Sequence, residues 1–159
     1  MGAGPASYLG GLECPNFDPA YAQKTYEQNS VIIALTQFGA GRATDRNLRA
    51  ISRKINGYLR SANAKIECWF GATGCAPLAA DCPRAQAVIA ELSAQDCACF
   101  DAAYAKTLSE LLRQSSCADE LAGGKAVTPQ MRQQAVFLAA KEANWVFRLD
   151  RWATDHGYT

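Results

Sequence analysis

Histidine is almost missing from this chain: of 159 residues only His156 carries an imidazole. A ferritin-type carboxylate site draws a Glu from each of two helices and a Glu-x-x-His from each of two others. Three residues beyond Glu27, Glu67, Glu110 and Glu142 stand Ser30, Phe70, Arg113 and Trp145, so the motif is absent and the sequence argues against a di-iron oxidase. His156 sits beside Asp155 near the C-terminus, where residues are seldom ordered enough to hold a base against a nucleophile. No catalytic residue and no metal ligand are assigned, no cofactor is expected, and the chain reads as a non-enzyme.

Long apolar runs are also lacking. The longest, Val31 to Leu35, falls far short of the roughly 20 residues needed to span a bilayer, so no membrane span is expected. Charge of one sign is missing too: 16 Lys and Arg against 15 Asp and Glu leave +1, too little to steer nucleic acid or an anionic membrane. Arg46, Arg49, Arg53, Lys54 and Arg60 cluster on one helix, but without interleaved aromatics they read as a solvated face rather than a phosphate contact. No strand-like alternation occurs, and with no strand there is no phosphate loop; Gly39-Ala40-Gly41 reads as a helix stop. The first residues have neither the basic start nor the apolar stretch of a secretory signal.

What the sequence has in excess is cysteine, seven in all: Cys14, Cys68, Cys75, Cys82, Cys97, Cys99 and Cys117. So many thiols in a small domain fit the periplasm or the extracellular space better than reducing cytosol. The expectation is an exported protein whose signal peptide is absent from this chain.

Helix starts are marked by capping residues next to proline or a polar first turn. Asp18-Pro19 opens a helix through Tyr21, Tyr26, Val31, Ile32, Leu35 and Phe38, ending at Gly39 and Gly41. Thr44 caps a second, whose stripe of Leu48, Ile51, Ile55, Leu59, Ala62, Ile66 and Trp69 recurs at steps of three and four. After a Gly, Ala and Pro loop, Asp81 and Pro83 start a short helix through Val88, Ile89 and Leu92. The third long helix carries Phe100, Tyr104, Leu108, Leu111 and Leu112, fading at Ser115 to Cys117. Gly123-Gly124 marks a turn, and Thr128-Pro129 caps a last helix with Met131, Ala135, Leu138, Trp145, Leu149 and Trp152 on one face.

These elements predict an all-α fold, an up-down-up-down four-helix bundle with a short extra helix between helices two and three. Residues 1–17 form an N-terminal extension and 18–156 a single domain. In that topology Cys14, Cys68, Cys75, Cys82, Cys97 and Cys99 gather at one end as disulfide candidates, while Cys117 lies at the other as a free or intermolecular thiol. Disulfides are the favoured reading; a thiolate metal site competes with it, although the Cys68, Cys75, Cys82 spacing is too long for zinc ribbons or ferredoxins. Glu142 continues the stripe from Leu138 toward Trp145 and is read as an edge residue reaching water, with a remnant ligand site as the alternative.

Two segments resemble an uncharacterised bacterial periplasmic ferritin-like four-helix-bundle family. Arg42-Ala43-Thr44 through Leu48-Arg49 to Ala62-Asn63 is similar to that family's Lys-Ala-Ser start and Asp-His-x-x-Ala-Asn segment, and Phe100-Asp101-Ala102-Ala103-Tyr104 to its Phe-Asp-x-x-Tyr opening. The resemblance implies a ferritin-like bundle in a divergent member, since the family's Asp-His pairs fall here on Tyr58-Leu59 and Leu111-Leu112.

Two functional readings follow. The first is a non-catalytic extracytoplasmic structural or protein-interaction module, a subunit of a larger envelope or extracellular assembly, with a dry interior and an aromatic patch of Trp69, Phe70, Trp152 and Tyr158 for a protein partner or self-assembly. The alternative is a metal- or small-cofactor-binding ferritin-like bundle.

Overall fold

The computed structural model describes residues 17–73 and 80–158, with only the backbone for 70–73. Cys14, Cys75 and the Phe70 side chain therefore lie outside the described residues. Among those described there are five helices and no strand: α1 (Phe17–Arg42), α2 (Arg46–Thr73), the short α3 (Cys82–Ser93), α4 (Cys97–Lys125) and α5 (Pro129–Asp155).

The heptad-like stripes do face inward. Leu48, Ile51, Ile55, Leu59, Ala62 and Ile66 of α2 are buried, as are Phe100, Tyr104, Leu108, Leu111 and Leu112 of α4. They pack with Val31, Ile32 and Leu35 of α1 and Leu138, Trp145 and Leu149 of α5 into one large apolar cluster. A second, smaller cluster joins Phe17, Tyr21 and Ala22 with Ile66, Ala118, Ala122, Met131 and Ala135.

Two glycine stops fail for a packing reason. α1 continues to Arg42 through Gly39, because Gly39 lies against the Tyr104 ring, where any Cβ would collide with it. Tyr104 is itself held there by Ser52 Oγ at 2.6 Å and by stacking on Phe100. α4 likewise runs through Gly123-Gly124, and its stripe continues past Leu112 with polar side chains, Ser115 and Asp119. The turn comes at 126–128 instead.

Carboxylates on neighbouring helices secure both tight turns. Asp101 of α4 accepts from the Thr44 and Asp45 backbone N–H groups and the Thr44 hydroxyl at 2.8–3.0 Å. Thr44 is thereby drawn away from the cap position, and Asp45 caps α2 by accepting from the Asn47 and Leu48 N–H groups. Asp18 of α1 does the same for the α4–α5 turn, accepting from Val127 N, Thr128 N and the Thr128 hydroxyl at 2.6–2.9 Å. Ionised acceptors for amide donors are among the stronger hydrogen bonds in proteins.

These contacts also set the helix directions. The α1–α2 turn touches the start of α4, both through Asp101 and through Arg42, whose guanidinium donates to Gln95 O at 3.0 Å. The end of α4 lies beside the start of α1 through Asp18. The chain therefore returns through α3 before α4 begins, and the long helices run up, down, down, up rather than up-down-up-down. That reversal corrects the cysteine placement. Cys97 and Cys99 sit at the end where α1 finishes, whereas Cys68 and Cys117 lie toward the opposite one; α1 has 26 residues, about 39 Å at about 1.5 Å per residue. No disulfide, which needs Cα atoms about 4.4–6.8 Å apart, spans that length. The five described cysteines are exposed free thiols.

Gly39→Ala is expected to lower unfolding free energy by about 1–3 kcal/mol through overpacking against Tyr104. Gly57→Ala, on an open helix surface with no neighbour near its would-be Cβ, is expected to raise it by about 1 kcal/mol. Urea denaturation of the two variants checks the contrast, and equal effects would remove the packing account of Gly39.

Candidate functional site

Between the two apolar clusters lies a buried polar layer. α1 contributes Tyr21, Thr25, Gln28 and Asn29, α2 contributes Asn63, α4 contributes Ser115 and Asp119, and α5 contributes Glu142, none more than 7% exposed. Glu142 is fully buried, which corrects the expectation that it reaches water. The interior is not the dry one that a purely structural module implies.

Asp119 and Glu142 face each other across the α4–α5 contact, and the Tyr21 hydroxyl donates to Asp119 Oδ1. Burial raises the Asp119 pKa to about 6, with hydrogen bonds from Glu142 and Tyr21 pulling the other way. Glu142 is raised by burial and by the Asp119 charge beside it, and the Tyr21 phenol goes well up, first through burial and then through Asp119. Two carboxylates so enclosed do not both ionise at little cost, and burial favours a form of the pair in which a proton is shared between them. Both oxygens of Glu142, and Asp119 Oδ2, lack any other donor. A proton shared between Glu142 and Asp119 Oδ2 accounts for one oxygen of each and, with Tyr21 on Oδ1, leaves one Glu142 oxygen without a donor.

The amides beside them are turned by acceptors that leave no choice. Gln28 Nε2 donates to the Leu111 carbonyl at 3.2 Å; that carbonyl can only accept, so Gln28 Oε1 must face away from it. Ser30 gives its proton to the Tyr26 carbonyl, so the Asn63 amide nitrogen donates to both, at 3.4 and 3.5 Å. Asn63 Oδ1 then accepts from Asn29 Nδ2 at 3.0 Å, which fixes Asn29 Oδ1 on the opposite side. Gln28 Oε1 and Asn29 Oδ1 find no donor. Both residues line, with Thr25, Ser115, Ala118 and Asp119, a narrow void too tight for a water molecule. The layer thus holds several buried oxygens without a donor.

Residues marked out in the sequence fall elsewhere. His156 ends α5, stacked on Trp152 with ring centroids 4.3 Å apart and its Nε2 3.4 Å from Asp45. The aromatic patch does not form as one surface: Trp69 packs on the second cluster, while Trp152 is buried and Tyr158 stacks on it near the other end. Exposed apolar side chains lie along α5 instead, where Val136 and Phe147 are over half exposed. Among the described residues no group of three His, Cys, Asp or Glu side chains is placed to hold a metal on its own, and no helix is long and apolar enough to cross a membrane.

Asp119, Gln28 and Asn29 escape a sequence reading that looks for apolar stripes. The available signal was register: Tyr21, Thr25, Gln28, Ile32 and Leu35 are one face of α1, and Leu108, Leu111, Ser115, Asp119 and Ala122 one face of α4.

A carboxyl whose folded pKa is raised binds its proton more tightly folded than unfolded. Its stabilising contribution is full below the unfolded value near about 4 and is lost as pH rises through about 6 and beyond. Wild-type protein is therefore expected to be less stable at about pH 8 than at about pH 5, and Glu142→Gln to flatten that slope and gain about 1 kcal/mol or more at the higher pH. Denaturant titration at both pH values tests this; an unchanged slope in the variant would show the pair is not the source.

No family model matches the sequence, and no curated protein matches it. Among solved structures the fold is similar to that of CopM in the Cu(I)-bound form, with TM-score 0.75 and 12% identity over 87% of this chain and 96% of that chain. The likeness shows a shared helical fold.

Proposed function

We propose that this chain is a non-catalytic binding protein that holds a small cation in the polar layer between its two apolar clusters. The observation that carries the reading is the set of oxygens of Gln28, Asn29 and Glu142 left without a donor beside the Asp119 carboxylate, all at least nine-tenths buried. Buried acceptors left without donors cost free energy, and a cation is the partner that a group of oxygens would share. The reversal of direction between α2 and α4, made through one crossover, is the connectivity of ferritin-like bundles, so we take the four long helices as such a bundle. The resemblance to a periplasmic ferritin-like family goes with it, as does the similar fold of CopM in the Cu(I)-bound form. A count of seven cysteines supports a location outside the cytoplasm in this reading.

The test is elemental analysis of full-length protein with its thiols alkylated, after dialysis against a panel of metal ions. About one ion per chain is expected to remain, and Asp119→Asn to retain at least tenfold less. Protein that folds normally yet retains no ion from the panel would remove the proposal.

A second reading, self-association or a protein partner, is favoured by the outer face of α5. Val136, Ala140, Ala143 and Phe147 lie at helical spacing there and are all exposed. Sedimentation velocity should show association weakened by Phe147→Lys; a strictly monomeric wild type would exclude self-association.

A further inference from the structure

The outer side of α4 and α5 is its own complement when turned end for end, a step that rests on the self-association reading above. We propose that two copies of the chain pair there about a two-fold axis, α5 antiparallel to α5, with Cys117 of one copy facing Cys117 of the other.

The large apolar side chains left exposed among the described residues are Val127, Val136, Phe137, Phe147 and Tyr158, and all lie on α5 or at its ends. The outermost row of that helix reads Val136, Ala140, Ala143, Phe147, large at both ends and small in the middle. Reversed about a point between residues 141 and 142, the row meets itself. Val136 of one copy then seats on Phe147 of the other and Ala140 on Ala143, each contact occurring twice, as a two-fold interface requires. The central alanines let the two helix axes approach to about 8–10 Å, at the close end of that range.

α4 supplies a second, independent centre. Its exposed row is Glu110, Arg113, Cys117 and Glu120, tied to α5 by the ion pair of Arg113 with Asp150. Ser109 Oγ donates to Asp150 at 2.7 Å, and Gly123 lies against Val136. Those two contacts bring Cys117 level with residue 142, the height at which the α5 row reverses. The same axis sets Arg113 of one copy within a turn of Glu120 of the other and Glu110 level with Gly124, so opposite charges come together in α4 rather than like ones. Cα atoms stand about 2.3 Å from a helix axis, so axes about 8–10 Å apart bring the two Cys117 Cα atoms to about 4–6 Å. A disulfide needs about 4.4–6.8 Å, and Cys117 is an exposed free thiol within its own chain.

A partner of another kind has no need of two rows that reverse at one height. The Glu and Arg alternation of α4 offers an anionic lipid surface no excess of positive charge.

Sedimentation equilibrium of reduced full-length protein is expected to show a dimer with a micromolar dissociation constant, as a face of two helices allows. Ala140→Phe should weaken it by about tenfold or more, because an added ring holds the axes apart, whereas an unspecific apolar patch would gain from it. Circular dichroism checks that the variant is folded. With oxidised glutathione, peptide mapping should find Cys117 linked to Cys117. Two S–H bonds break and one S–S bond forms, the protons pass to solvent, and the two electrons reduce one glutathione disulfide to two thiols. Cys117→Ser should lose that link and sediment like the wild type. A dimer tightened by Ala140→Phe, or linked only through other cysteines, overturns this pairing and leaves self-association standing. A chain that stays monomeric at the highest soluble concentration overturns both, and its binding to anionic vesicles would assign the face to a membrane instead.

Discussion

Two carboxyl groups enclosed by apolar side chains cannot both be charged, and the interior of this protein is organised around that restriction. Asp119 and Glu142 meet where α4 packs on α5, the Tyr21 hydroxyl from α1 completes the group, and apolar clusters close it off on either side. Carrying two carboxyls into such surroundings costs several kcal/mol for any that stays ionised. Apolar residues of similar volume at these positions would leave a more stable fold. Their retention in the middle of the bundle therefore has to be sought in something other than stability.

The remainder of the structure is arranged to tolerate that cost. α2 and α4 supply nearly continuous apolar stripes, and the two turns that fix the helix directions are clamped by Asp101 and Asp18 acting from neighbouring helices. These clamps are carboxylates, Asp101 buried and Asp18 half-buried, whose oxygens are matched by amide and hydroxyl donors, the favourable counterpart of the Asp119–Glu142 pair. Gly39 allows Tyr104 to pack tightly between α1 and α2, and Ser52 satisfies its hydroxyl. The large cluster can thus be dense at one end while the polar layer lies toward the other.

Fold class was legible because helical periodicity is strong: the stripes of Leu48 to Ile66 and Phe100 to Leu112 appear in the structure residue for residue. Direction was not legible. Which way α4 runs is decided by contacts such as Thr44 with Asp101, which pair residues 57 positions apart and leave no periodic trace. The cysteine placement inherited that error, as did the aromatic patch. Of the site, only Glu142 stood out in advance, through its place between Leu138 and Trp145, and it was assigned to water because a glutamate is seldom buried. Asp119 lay where the apolar stripe was taken to end, and Gln28 and Asn29 occupy core register without core chemistry. Polar residues in core register are invisible to a pattern defined by hydrophobicity, and they carry the site.

The orientation of those polar residues is more informative than their burial. A buried amide that turned either end toward the void would be ambiguous, but the Leu111 and Tyr26 carbonyls can only accept, so each nitrogen is committed and each oxygen faces inward. The same holds for Tyr21, whose single proton goes to Asp119. Each amide nitrogen and the Tyr21 hydroxyl is thus turned to an acceptor, while Gln28 Oε1 and Asn29 Oδ1 find no donor. These unpartnered acceptors are the observation on which the proposed cation reading rests. A proton shared by Asp119 and Glu142 satisfies two carboxyl oxygens but not the amides of Gln28 and Asn29. The unanswered amide oxygens are what the acid pair alone does not account for.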